Sequence, residues 1–153
     1  MSLGSCFTHS NIHISLLDVM KLPLTALLKP FLALIRSSLS TGPITSAAFM
    51  SLHTFFVSGL IQPTSVGISP ALASLSNTIV NCKFEASDFA GDEVVLLRIM
   101  SVIRECMCGN VGTNLGDVEV CEMLETVLTI CCQMRASGNV ASRSNIFYTL
   151  PIF

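Results

Sequence analysis

Apolar residues recur at helical spacing through most of the chain, and proline and glycine cut that pattern into segments. Residues 1–12 have weak periodicity and belong to a loose N-terminal tail over 1–14. A helical pattern then runs through LLDVMKLPLTALLKPFLALIRSSL, residues 16–39. Pro23 and Pro30 each remove a helical N–H, so the pattern predicts a short helix, a break, and a second helix to about Ser38.

The stretch STGPITSAAF, residues 40–49, predicts the next helix start. Thr41 or Gly42 serves as N-cap, and Pro43 sits in the first turn, where its missing N–H costs nothing. This helix is predicted to run to about Ile61, short of Pro63. Ser51, Thr54 and Ser58 share one stripe, with Ile44, Ala48, Leu52, Phe55 and Leu60 broadly opposite. Ser69-Pro70 repeats the start signal for a helix that should end near Lys83.

After the acidic loop EASDFAG, Asp92 and Glu93 suit the positive end of a new helix dipole. That helix, DEVVLLRIMSVIRECM, has a polar strip of only Arg98, Ser101, Arg104 and Glu105, so it should be packed on several sides. Gly109 and Gly112 mark its exit. The last helix, DVEVCEMLETVLTICCQMR, places Glu119, Glu122, Thr126, Thr129 and Gln133 on one stripe. Val120, Leu124, Val127, Leu128 and Cys131 fall opposite and are expected to face the core. No strand pair competes. The fold class is all-α, with about five to six helices, arranged as a bundle or an α-solenoid fragment. No exact repeat period is visible, so periodicity alone leaves those two open.

Composition adds a question about cover. Only 12% of residues are charged, against about 25% in a typical soluble domain, and the mean hydropathy is +0.70. From Ser37 to Cys82 there is no Asp, Glu, Lys or Arg, whereas Glu85 to Glu125 holds most of the carboxylates. The covering partner could be the chain's own core, another chain or lipid. Residues 43–61 are about long enough to cross a bilayer, which makes a small membrane protein the alternative reading. Five Ser/Thr hydroxyls, His53 near the middle and the absence of flanking basic residues weigh against it. A net charge of −2 with only eight scattered Lys and Arg excludes a nucleic-acid binder.

No catalytic constellation is present. Seven cysteines, without a regular framework or a secretory leader, read as reduced cytosolic thiols packed as small hydrophobes. Cys106-x-Cys108 and Cys131-Cys132 lack zinc-knuckle spacing. Cys6, His9 and His13 have helical ligand spacing but lie in the tail. His53 has no carboxylate near it in sequence to orient it, so a boundary histidine is favoured over a base. GNVGTNLG lacks phosphate-loop spacing and reads as a turn between helices. No metal and no cofactor is expected. The acids Asp117, Glu119, Glu122 and Glu125 fit a solvated helix start, with a docking strip for a basic partner as the sharper alternative.

Three blocks carry a resemblance: LKPFLALIRSSLSTGPITSAA (28–48), CKFEASDFAGDEVVLLRIMSVI (82–103) and VCEMLETVLTICCQMR (120–135). In this order and spacing the chain resembles the N-terminal dimerisation and cyclophilin-binding domain of the large Golgi-type Arf guanine-nucleotide exchange factors, the brefeldin A-resistance factor family. T-G-P-I-T and D-E-V-V-L are its specific elements. The resemblance implies an armadillo-like α-solenoid over 15–135, followed by a divergent tail over 136–153. It also implies a non-catalytic regulatory module, because the family's exchange chemistry resides in a separate catalytic domain with no counterpart in this sequence.

The partners implied are a second copy (a homodimer) or the downstream regulatory domain of the same factor, with small GTPases and Golgi membrane adaptors beyond them. The implied location is cytoplasmic, peripheral to Golgi and early secretory membranes. Both ends depart from the family pattern, so a truncated form is expected. Asp92 and Glu93 match the family's D-E pair and are the candidate dimer residues, with His53 and Thr54 as a neighbouring candidate surface. A capping role for Asp92 and Glu93 explains the same residues equally well.

Overall fold

The computed structural model describes residues 22–82 and 89–136. Among these residues the chain forms five α-helices: α1 (Leu24–Arg36), α2 (Gly42–Val57), α3 (Ile68–Val80), α4 (Phe89–Cys108) and α5 (Asp117–Ala136). A 3-10 turn, Gly112–Asn114, leads into α5. The fold is all-α.

α1 and α2 pair as a hairpin. α3 packs beside α1, and α5 packs beside α3. α4 lies along α2 in the most extensive pairing among the described residues and also touches α5. The helices therefore stand in two ranks, α1-α3-α5 and α2-α4, a stacking that suits an α-solenoid. The core fills the space between the ranks. Leu24, Leu28, Leu32 and Ile35 of α1 recur at helical spacing to make one buried stripe. Facing it are Ala48, Phe49 and Leu52 of α2, Leu72 and Leu75 of α3, and Val95, Val102 and Ile103 of α4.

Several predicted boundaries shift, each for a local reason. No break occurs at Pro30, which lies inside the continuous helix α1. Pro30 and Ala26 are both exposed, so the carbonyl that loses its i+4 donor is on the solvent side. Pro23 instead occupies the N-cap of α1, and the residues before 22 fall outside those described.

α2 begins as predicted, with Thr41 at the N-cap, but stops at Val57 rather than Ile61. Gly59 takes φ +73°, a left-handed conformation that costs glycine little. Leu60 N–H then donates to the Phe55 carbonyl at 3.0 Å, and Gly59 N–H donates to that of Phe56 at 3.1 Å. This paired closure is a Schellman motif, and it ends the helix. α3 starts earlier than predicted because Gly67, at φ +74°, is its N-cap in place of Ser69. Pro70 remains in the first turn. α4 begins at Phe89, three residues before Asp92.

The last helix is rotated from its predicted setting. Met123 and Ile130 are its buried residues and Val127 of the predicted stripe packs against the core, while Leu124 and Leu128 of that stripe are 47% and 66% exposed. A side-chain bond accounts for the rotation. The fully buried Ser76 of α3 donates to a carboxylate oxygen of Glu122 at 2.9 Å, which turns the predicted polar stripe toward α3. With most of its contacts on one side, α5 cannot cover both of its apolar stripes. Ile44 on α2 is likewise exposed rather than packed inward.

One core position carries a polar atom without a partner. Thr45 is fully buried, and its hydroxyl has no hydrogen-bond partner. Thr45→Val removes that atom at nearly constant shape, so it is expected to leave stability unchanged or raise it by about 1 kcal/mol, read from the urea midpoint. A loss of that size would show that the hydroxyl is bonded after all.

Candidate interaction surface

The predicted interaction residues all fall on the α2-α4 rank, but not together. His53 is half-buried between the two helices, with Nε2 3.6 Å from a carboxylate oxygen of Glu105. That distance is too long for a hydrogen bond, and Nε2 is buried with no hydrogen-bond partner. Glu105 is instead held by Arg104, whose Nε and Nη2 donate to the same oxygen at 3.2 and 2.7 Å. No carboxylate lies near His53 along the sequence, but Glu105 approaches it in space. Glu105 comes from a helix far along the chain, so local spacing offers no signal for it.

His53 and Glu105 both lie in the last turns of their helices, which therefore run parallel. Glu93 sits near the opposite end of α4, twelve residues or about 18 Å from Glu105 along the axis. Glu93 is half-buried; the side chain of Asp92 lies outside the described residues. Thr54 is exposed, and its hydroxyl donates to the Met50 carbonyl at 2.9 Å. Ser51 does the same to the Ala47 carbonyl at 3.0 Å.

These intrahelical bonds change the character of the outer face of α2. Its two mid-helix hydroxyls are spent on its own backbone, leaving Ala47, Met50, Thr54 and Val57 as an exposed stripe at spacings of three and four residues. Met50 is 51% and Val57 66% exposed. No charged residue occurs anywhere on α2. On α4, Val94 is also an exposed apolar residue.

Among the described residues no helix is long and apolar enough to cross a membrane. The predicted span over 43–61 is divided between a 16-residue helix and a turn, which removes the membrane-spanning alternative. Among the same residues, no three His, Cys, Asp or Glu side chains are placed to hold a metal ion, and Cys6, His9 and His13 lie outside them.

Burial pushes the Cys106 thiol up to about 12, with the neighbouring Glu105 charge adding to it, and pushes Cys82 up to about 11. Both are poor nucleophiles at neutral pH. Cys108, Cys121 and Cys132 are exposed. A maleimide at pH 7 is therefore expected to label those three on the native chain and to spare Cys106, as checked by peptide mass mapping. Fast labelling of Cys106 would contradict the placement of α4.

The chain is 32% identical over 130 residues to ARF guanine-nucleotide exchange factor 2 of Saccharomyces cerevisiae, covering 83% of this chain and 9% of that protein. It is 31% identical over 116 residues to the ARF guanine-nucleotide exchange factor GNOM of Arabidopsis thaliana, covering 76% and 8%. Against the Golgi-specific brefeldin A-resistance guanine nucleotide exchange factor 1 homolog of Caenorhabditis elegans it is 30% identical over 136 residues, covering 82% and 7%. The chain thus spans less than a tenth of the length of these relatives. No family model matches it, and no solved structure does.

Proposed function

The chain belongs to the Arf guanine-nucleotide exchange factor family, matching a short segment of its members, and from that premise we propose that it is a regulatory self-association module without exchange activity of its own. The module is the dimerisation and cyclophilin-binding type of domain, spanning 15–135. Its first partner is a second copy of itself or the downstream regulatory domain of the same factor. It works on the cytoplasmic side of Golgi and early secretory membranes, bound peripherally, where the whole factor would meet its small GTPase.

The observation that carries this reading is the outer face of the α2-α4 rank. It presents an uncharged stripe, Ala47, Met50, Thr54 and Val57, with Val94 also exposed on α4, in a protein whose core is already filled elsewhere. An uncharged face pairs with its own copy without like-charge repulsion, and small residues let two helices approach closely. The Glu93 end of α4 supplies the polar edge of the same surface.

Light-scattering mass across a concentration series tests this. At high salt, where any association that rests on charge is screened, the wild-type chain is expected to form dimers. Met50→Glu combined with Glu93→Lys should weaken the dimer at least about tenfold, because a charge buried in an apolar contact is left unpaired. A wild-type chain that stays monomeric, or a variant that dimerises equally well, would sink the proposal.

A further inference from the structure

A second surface lies on the other rank, and its chemistry is the opposite of neutral. α1 and α3 flank an open groove of about 280 Å³ whose base is the buried Leu28, Leu32 and Ala71 and whose exposed rim includes Thr25, Lys29, Ala33 and Arg36. Among the described residues no carboxylate lines it. Neither α1 nor α3 contains an acidic residue, and Lys29 and Arg36 are the only charges on the two helices. They stand seven residues apart, about 10 Å along the axis of α1. Arg36 is already turned across the groove, donating to the carbonyl and the hydroxyl of Ser74 on α3 at 3.0 and 3.2 Å.

The outward stripe of α5 is the complement. Val118, Cys121, Leu124, Leu128 and Cys132 share one exposed face, flanked by the exposed carboxylates Asp117 and Glu125. These two stand eight residues apart, about 12 Å along the helix. α5 carries four carboxylates in all, against a single arginine.

We propose that the α1-α3 groove of one copy receives the exposed face of α5 of another. Leu124 and Leu128 lie against Ala33 and the aliphatic stems of Lys29 and Arg36, whose charged ends meet the acidic flank. Apolar burial gives the contact its strength, and the charge match fixes its register and partner. Groove and stripe are different surfaces, so the contact is heterologous and repeats from copy to copy instead of closing on itself. It shares no surface with the α2-α4 contact proposed above and does not depend on it.

The test uses the full chain. With the Met50→Glu and Glu93→Lys substitutions present to remove the other contact, mass should still rise with concentration at low salt and fall back at high salt. Adding Lys29→Glu with Arg36→Glu, or Asp117→Lys with Glu125→Lys, should weaken that rise at least about tenfold. An equimolar mixture of these two charge-reversed chains should restore association, because the reversed groove then meets the reversed stripe. Independently, Ala33→Cys in the groove should be joined to Cys121 of another copy by a short bismaleimide, as read by peptide mapping. Association that ignores both reversals, or absence of the Ala33→Cys to Cys121 cross-link, overturns the inference. Loss of dimers in the Met50→Glu, Glu93→Lys chain with salt-sensitive growth intact would separate the two contacts.

Discussion

Replacing Phe49 by alanine is expected to cost about 3–5 kcal/mol, the largest effect of any single substitution considered for this chain. Phe49 is fully buried and is the bulkiest such side chain among the described residues. It projects from α2 into the core, where α1 and α4 both pack against that helix. Removing the ring forfeits its transfer free energy and leaves a cavity that flanking helices close only in part. Against a stability of about 5–15 kcal/mol for a domain of this kind, such a loss leaves the folded state marginal or unfolded at 37 °C. Urea unfolding followed by circular dichroism gives the number. A cost below about 1 kcal/mol would mean that the inner face of α2 is not packed as described.

Pro30→Ala should act in the opposite direction. A proline in a helix interior is about 3 kcal/mol less favourable than alanine. Alanine gives back part of that advantage, because a freer unfolded chain costs about 1 kcal/mol. A net gain of about 2 kcal/mol is expected, visible as a higher melting temperature. Pro30 is exposed, so no core contact is lost directly. The next residue, Phe31, meets Phe55 edge-on, with ring centroids 5.1 Å apart and planes at 86°. If Pro30→Ala lowers stability instead, the distortion at Pro30 is what seats Phe31 against Phe55.

These two residues also mark what the sequence makes legible. The Thr41-Gly42-Pro43 start of α2 follows from capping chemistry, and the helix begins there. The stop at Gly59 was equally open to reading from Ser58-Gly59, but Leu60 and Ile61 resume the apolar pattern beyond it and masked it. Pro30 misled because a breaker rule judges a residue without knowing which side of the helix faces water. On α5, periodicity sets one apolar stripe opposite a polar one, whereas the buried Met123 and Ile130 belong to neither. That setting depends on Ser76, a residue of another helix that bonds to Glu122.

The interaction surface divides in the same way. Thr54 and Glu93 were placed on helices by sequence, whereas the approach of Glu105 to His53 joins positions far apart in the chain. The weak charge content anticipated surfaces that need a partner. It could not reveal that one of them, the groove between α1 and α3, is basic, since Lys29 and Arg36 acquire a common groove only when α3 lies alongside α1.

The uncharged run from Ser37 to Cys82, which builds α2 and α3 whole, has a consequence for protein chemistry. Trypsin cuts after lysine or arginine and finds no site between Arg36 and Lys83, whether the chain is folded or not. Both helices therefore leave a digest within one long apolar peptide, from Ser37 to Lys83. The same stretch offers no internal lysine before Lys83 for ubiquitin or acetyl transfer, so marking of the α2 face by either route has to occur on a neighbouring element.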